Sequence, residues 1–403
     1  MATFNDLHTI VNALVSQGEG ATAVAQVDLS NIASLGDYII QSGRNGTNDA
    51  IFGKFVDRIA KFIIANRAYK SKFDFLYMEP FEFGAVLQKV HVASQVAQAS
   101  GKYIQGDDAS EAELTGQMQN LPTVSVKLFS NQNTWEVSVT ITEEQIKTGF
   151  TSAENLAAFI SAIFTALNSG IEKEMESVGR AVIACYMGEL LNAQAEADTA
   201  SETKRMAVNL IAQYYAETNK TVTADNAWFD ADFLRWCTSF FKDEKALFQE
   251  YNVLRNVDTV EKFTPADELM FLINTKFADN IQRFMTSNVY HDSLVSMPGY
   301  KEIDYWQGLG DLSAKDRTTI KAKLVSTTES GGATVNNTIS KAYVIGVMYD
   351  PYSVGLTVLE RDSVAVPLLR SHRTTYYEQF KRGDYIDLAE QGTVYYLEDI
   401  SNP

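Results

Sequence analysis

The chain has 403 residues, 45% hydrophobic and 21% charged, ordinary values for a globular protein and ample for a sizeable core. Lys and Arg number 34 against 51 Asp and Glu, a formal net charge of −17. That charge repels phosphate and anionic lipid, so it disfavours nucleic-acid recognition and membrane docking, while suiting a container whose acidic wall does not hold DNA.

Two cysteines, Cys185 and Cys237, make no disulfide framework, and a reducing compartment fits. No basic stretch followed by an apolar core opens the sequence, and no run of about 18 apolar residues occurs, so neither a secretory signal nor a membrane span is expected.

Residues 1–50 read as short helical pieces joined by small residues. Leu7, Ile10, Val11, Leu14 and Val15 recur at helical spacing, Gly18 and Gly20 end that piece, and Gly43, Asn45 and Gly46 make a second break. A better helix follows, with Phe52, Phe55, Ile59, Phe62 and Ile63 on one face and Lys54, Asp57, Arg58 and Lys61 opposite. From about residue 72 the pattern turns to strand. Residues 83–92 form one candidate, and the stretch from Ala93 to Asn120 is poor in apolar residues and acidic around Asp107, Asp108, Glu111 and Glu113. Val124, Val126 and Leu128, then Trp135, Val137, Val139 and Ile141, alternate with polar residues around the turn-like Ser130–Asn133, which predicts a hairpin.

Thr151 and Glu154 form a capping box. An apolar stripe from Leu156 through Ile163, Leu167, Ile171, Met175, Val178 and Val182 to about Leu191 then predicts one helix of roughly forty residues, about 60 Å long. Its flanks lack the regular charge pairs of a coiled coil, so a strut is expected, with Gly170 and Gly179 permitting curvature. Beyond it, Met206, Leu210, Ile211 and Tyr214 mark a helix, and Phe233, Trp236, Cys237, Phe240 and Phe241 another. Leu269–Ile273 is a short buried strand, and Asn274 caps a helix reaching Phe284. Ile320, Ala322 and Leu324 alternate with lysines, residues 326–337 predict a mobile loop, and strands return at 342–348 and 393–397 around a mixed stretch, 354–366.

Nothing in this order announces catalysis. His8, His91, His291 and His372 are scattered outside any metal-binding spacing, and Ser100, Gly101 and Lys102 lack the upstream glycine of a phosphate loop, where Val96 stands. Acidic doublets such as Asp107–Asp108 and Glu143–Glu144 are expected on a solvated surface of this charge. No enzyme activity, cofactor or metal is expected. The acidic segment from Asp107 to Glu113 stays open between a solvated loop and a reaching loop whose tip meets a basic patch on a neighbouring subunit.

An arm, an extended two-stranded excursion, a strut helix, an α/β region and a return to sheet: this order resembles the α+β tailed-phage major capsid fold, the Hong Kong ninety-seven fold. Three stretches resemble the phi-twenty-nine group of small short-tailed phages. They are Phe55, Val56, Asp57, Arg58 and Ile59 with Ile63 and Asn66; the strut start from Asn155 to Asn168; and the aromatic-rich stretch from Ala342 to Leu397, with Tyr376 and Tyr377. The likeness covers most of the chain, though each motif is short and none is catalytic. A member of that group carries a further immunoglobulin-like domain after its last strand; this sequence ends at Pro403, so no surface-decoration role is expected.

The resemblance implies an N-terminal arm over 1–50, a helix over 51–71 leading into an extended loop over 72–130, a peripheral domain with the spine helix over 131–200 and 340–403, and an axial domain over 201–339. It implies a bacteriophage head-shell subunit that self-assembles into capsomers and an icosahedral or prolate capsid in the bacterial host cytoplasm. The implied partners are copies of itself, a scaffolding protein, a portal protein and packaged double-stranded DNA held without sequence-specific binding, and no membrane. Inter-subunit contacts are expected from Lys89, Lys102, Asp107, Asp108, Glu111 and Glu113. Some relatives crosslink Lys to Asn between subunits, and Lys89 stands in the matching loop. Two other readings remain: an encapsulin-type cage, and a carbohydrate-active enzyme whose carboxylate pair stands about 5–10 Å apart in a deep pocket.

Overall fold

The longest element is a single α-helix, α1 (Ala153–Thr199), of 47 residues. It runs eight residues past the end of the apolar stripe. Its last two turns are held by side chains four residues apart: Asn192 Nδ2 donates to Glu196 Oε1, Gln194 Nε2 to Asp198 Oδ1, and Thr199 Oγ1 to the Ala195 carbonyl. The computed structural model describes residues 69–78, 87–92, 124–129, 132–142, 153–258, 260–286, 297–307, 313–324, 328–330, 333–335, 338–368 and 373–400. The expectations for the arm, for the helix over 51–71 up to residue 68 and for the Thr151–Glu154 box at Thr151 fall outside these residues; 69–71 are described and are not helical.

Contacts divide the chain into two compact units. The first takes residues 1–82, 132–179 and 357–383. Its sheet has three strands in the order β12 (Val354–Leu368), β13 (Arg373–Ile386), β3 (Gln132–Thr142). β13 and β3 are antiparallel, with Tyr376 opposite Val139 and Phe380 opposite Trp135. Trp135 and Phe380 stack at 4.6 Å, and the Thr140 and Thr375 hydroxyls meet at 3.0 Å. The early part of α1 receives the segment 69–78. Phe73 and Leu76 are buried, and the Ser71 N–H donates to Glu172 Oε2 at 3.0 Å. Gly179 makes this approach possible, because a Cβ there would stand 2.9 Å from the Phe73 Cβ.

The hairpin expected across Ser130–Asn133 is not formed. The strand over 124–129 pairs with residues 87–92, and β3 pairs with β13, so the two predicted arms belong to different sheets. Alternation fixes a strand's faces but leaves its partner open.

The second unit takes residues 83–131, 180–356 and 384–403. At its centre lies a five-stranded mixed sheet in the order β4 (Ala207–Asn209), β14 (Gly392–Tyr396), β11 (Val344–Tyr349), β5 (Met270–Asn274), β6 (Lys301–Ile303). All six residues of β11 are buried, as its unbroken apolar run predicts for a strand covered on both faces. Three helices pack here: α2 (Leu210–Thr218), α3 (Ala231–Phe248) and α4 (Thr275–Thr286). Each starts on a side-chain cap, with Asn209, Asp230 and Asn274 accepting from the N–H of Ile211, Phe233 and Lys276. Their aromatic residues Phe233, Phe241 and Phe277, with Trp228 from the turn before α3, join Phe271 and Tyr395 in one core.

One charged group lies inside that core. Glu244 accepts from Arg255 Nη2 at 2.9 Å, from Arg205 Nη2 at 2.8 Å and from the Tyr395 hydroxyl at 3.1 Å, and Glu244 and Arg255 are both 1% exposed. Outside the main sheet, α5 (Ala314–Thr318) leads to β7 (Ile320–Lys323), which pairs with β10 (Thr338–Lys341). The loop predicted over 326–337 instead carries a short antiparallel pair, β8 (Thr328–Ser330) with β9 (Ala333–Val335).

Candidate assembly surface

Also in the second unit is a ribbon of two antiparallel strands, β1 (Leu87–Val92) and β2 (Val124–Phe129), joined by residues 93–123. It pairs Lys89 with Lys127, Val90 with Val126 and Val92 with Val124. Among the described residues no third strand joins it. The two faces differ sharply. Gln88, Val90, Val92, Val124, Val126 and Leu128 point outward, and the five aliphatic side chains keep between 50% and 66% of their surface exposed. Lys89, His91, Ser125 and Lys127 point inward, with Leu87 and Phe129 at the paired end of the ribbon. Beyond the Leu87–Phe129 pair, the usual sense, apolar in and polar out, is inverted.

The inward face meets an acidic floor. Lys89 Nζ lies 2.6 Å from Asp387 and 3.1 Å from Glu390, and donates to the Tyr352 carbonyl at 2.9 Å. Lys127 lies 3.1 Å from Asp258 and 3.3 Å from Asp387. Lys262, from the floor itself, pairs with Glu390 at 3.2 Å and reaches His91 Nδ1 at 2.8 Å. The ring of Phe129 stands 5.2 Å from that of Tyr385. Three ammonium groups thus share three carboxylates.

The floor is fixed from below. The Asp387 N–H donates to the Ser353 carbonyl, Val257 N–H to the Leu388 carbonyl, and Gln391 Nε2 to the Lys262 carbonyl. Burial alone would raise the pKa of Asp387. The Lys89 hydrogen bond and charge, the Ala389 N–H and the Lys127 charge outweigh that burial and hold its carboxyl below the usual range. Asp350, beside it in the floor, goes the other way: burial raises it, against hydrogen bonds from the Tyr352 N–H and Thr264 hydroxyl. His91 is lowered by burial and then by the Lys262 charge, which favours the neutral ring, the form whose Nδ1 can accept a hydrogen bond from the Lys262 ammonium.

Of the residues singled out in the sequence, Lys89 takes part in this network, while Lys102, Asp107, Asp108, Glu111 and Glu113 lie outside the described residues. Sequence reasoning missed Lys127, Asp258, Lys262, Asp387 and Glu390. The one signal available was the placing of lysine and histidine between valines in β1 and β2.

In the first unit, an open groove of about 600 Å³ lies over β3 and β13, lined by Trp135, Glu136, Asp362, Gln379, Phe380 and Lys381. Its two carboxylates are already engaged, Glu136 by Gln379 Nε2 at 2.9 Å and Asp362 by the Ser363 N–H at 2.9 Å. Among the described residues, no group of three or more His, Cys, Asp or Glu side chains is placed to hold a metal ion, and no helix is long and apolar enough to cross a membrane. Cys185 and Cys237 are free thiols.

Residues 7–359 match the family model of the Phi29-like phage major capsid protein. The chain belongs to that family. A subunit of this family forms the capsid shell of the virion from copies of itself, so homo-oligomeric shell assembly is its role.

One solved structure agrees at the level of fold, and two more are similar over the same span. A chain from native bacteriophage P68, determined with its head fiber and inner core protein, is 11% identical, covers 83% of this capsid protein and 86% of its own length, and superposes with a TM-score of 0.54. A capsid chain of Staphylococcus phage Andhra has the same coverages at 10% identity and a TM-score of 0.48, and one of cyanophage P-SCSP1u covers 83% and 90% at 10% identity and 0.42. No curated protein sequence matches the chain. These comparisons give no support to an encapsulin-type cage or a carbohydrate-active enzyme.

Proposed function

We propose that this capsid protein builds the head shell around packaged double-stranded DNA, in the host cytoplasm, with a scaffolding protein and a portal as partners, and that it has no enzymatic step of its own. The net charge of −17 supports a wall that slides past DNA without binding its sequence. In the shell, residues 1–50 form the arm, 51–71 the helix leading on, 72–130 the extended loop, 131–200 with 340–403 the peripheral domain, and 201–339 the axial domain. These names describe positions among neighbours; the two contact-defined units of the single chain partition the sequence differently.

One observation carries the assembly reading: the ribbon β1–β2 turns five aliphatic side chains outward while its lysines are held by its own subunit. An apolar face of this kind on a protein made to associate is an interface waiting for its occupant, and the occupant we assign is a second copy of this chain. Lys89 holds the base of the loop, and Lys102, Asp107, Asp108, Glu111 and Glu113, between the two strands, meet the neighbour by charge. Interfaces of about 800 Å² per partner, repeated around each subunit, suffice to close a shell.

The test is assembly. The purified protein, alone and with a candidate scaffolding protein, is imaged by negative-stain microscopy. Rings or shells are expected, and a chain that stays monomeric with its scaffold at every concentration and salt tried overturns the reading.

A further inference from the structure

The ribbon is attached to its subunit in an unusual way. A two-stranded ribbon is marginal alone. Among the described residues it adds no backbone ladder to the main sheet, and its outward aliphatic residues stay at least half exposed. Its inward attachments include half-buried Leu87, the Phe129–Tyr385 ring contact and the charged contacts of Lys89, His91 and Lys127. Asp387, 4% exposed, is the hub that receives both ribbon lysines, one from each strand at facing positions. Meanwhile Tyr352, Asp387 and Glu390 belong to turns pinned by their own hydrogen bonds, so the floor holds still while the ribbon is gripped.

Salt acts on the two faces of such a ribbon in opposite directions. Salt screens ion pairs, those of the third-exposed Lys127 more than that of Lys89 with buried Asp387, whereas it does not weaken burial of aliphatic surface. We propose that Lys89 and Lys127 against Asp258, Asp387 and Glu390, with Lys262 beside them, form an ionic latch that fixes the direction in which the ribbon leaves its subunit, and that ionic strength opens it. The latch keeps the valine face aimed outward in the free subunit, and opening it lets the ribbon re-aim without unfolding the core. This rests on the assembly reading only for its purpose. The latch itself belongs to the single chain.

Hydrogen exchange of the unassembled chain therefore tests it, read by mass spectrometry on peptides covering 87–92 and 124–129. In wild-type protein, raising NaCl from low to about 1 M should speed exchange in the ribbon by roughly tenfold to a hundredfold, the scale expected for losing one or two charge-assisted hydrogen bonds. Amides of β11 and of the buried end of α1 should not respond. Lys89→Met with Lys127→Met keeps the aliphatic stems and removes the charges. It should exchange at the fast rate at low salt and show no further salt response. Glu390→Gln, at a less buried acid than Asp387, should fall between. Protection of β11 in each variant reports that the core is folded. A ribbon indifferent to salt in wild type, or a double variant that keeps the wild-type salt response, overturns the latch. Either result is independent of whether shells form, because the sample is unassembled.

Discussion

Substituting Val126 by Asp tests the outward face of the ribbon most directly. Val126 is 50% exposed and faces Val90 across the ribbon, itself 58% exposed. Full burial of a valine contributes about 1.5–3 kcal/mol, so covering the open half of Val126 contributes about 1 kcal/mol at an interface. An aspartate loses that and must also be desolvated against apolar neighbours, a further cost of about 2 kcal/mol or more. The sum, about 3 kcal/mol per contact, raises the concentration at which assembly begins on the order of a hundredfold. Val126→Thr keeps the strand preference and adds no charge, so it should raise that threshold only severalfold. In the unassembled chain both side chains point to water, and thermal unfolding followed by circular dichroism should move little. Light scattering across a concentration series, checked by microscopy, measures the threshold. If Val126→Asp assembles at the wild-type concentration, the valine face is not covered in the shell and the reasoning fails.

Glu244→Ala leaves Arg255, 1% exposed, without its carboxylate, and should destabilise the second unit by about 3–5 kcal/mol, lowering its melting temperature on the order of 10 °C; Glu244→Gln should lose less, since it still accepts hydrogen bonds. Gly392→Ala would place a Cβ 2.0 Å from the Tyr186 hydroxyl oxygen, an overpacking cost of about 1–3 kcal/mol, and adding Tyr186→Phe should recover part of it in urea unfolding. Acid should loosen the ribbon. His91 is held below its ordinary value near 6.5 by burial and by Lys262, with Lys89 adding to this and Glu390 and Asp258 opposing it. Its contribution is therefore complete above about pH 6.5 and is lost as pH falls. Asp387, also lowered, gives way only below the ordinary carboxylate range. Ribbon exchange, corrected for intrinsic rates, should accelerate between pH 7 and pH 5.5 in wild type, and His91→Asn, which keeps an acceptor without the titration, should remove that step.

What could be read from the sequence follows a physical division. The apolar runs at 269–273 and 342–348 declare buried strands because a strand covered on both faces needs no alternation, and both stand beside each other in the central sheet. The strut helix shows because its stripe persists for ten turns, although its end at Thr199 rests on polar side-chain bonds that carry no periodic apolar signal. Pairing was not legible. The residues that choose the partner of β3 lie some 240 positions away in β13, and those that complete β2 lie across the acidic segment in β1. Nor was the floor legible, since Asp258, Asp387 and Glu390 are three acids among 51 and only the fold gathers them.

The inversion of the ribbon follows from that floor. Slipping both strands by one residue would turn Val90 and Val126 toward Asp387 and Glu390 and send Lys89 and Lys127 to water. Solvent would then be pleased and the floor ruined, because Asp387, 4% exposed, would keep its charge with no cation beside it. The register in which the lysines face inward is therefore the one the buried acids demand, and the exposed valines are its consequence. A chain that had to stay monomeric would blunt such a face with outward lysines or a proline, as edge strands commonly are. Here the outward positions are Val, Val, Val, Val and Leu with one Gln. For a shell subunit that pattern sets two requirements on one ribbon at once: its own floor must hold it by charge, and another copy must cover it by apolar contact, so neither attachment competes for the side chains of the other.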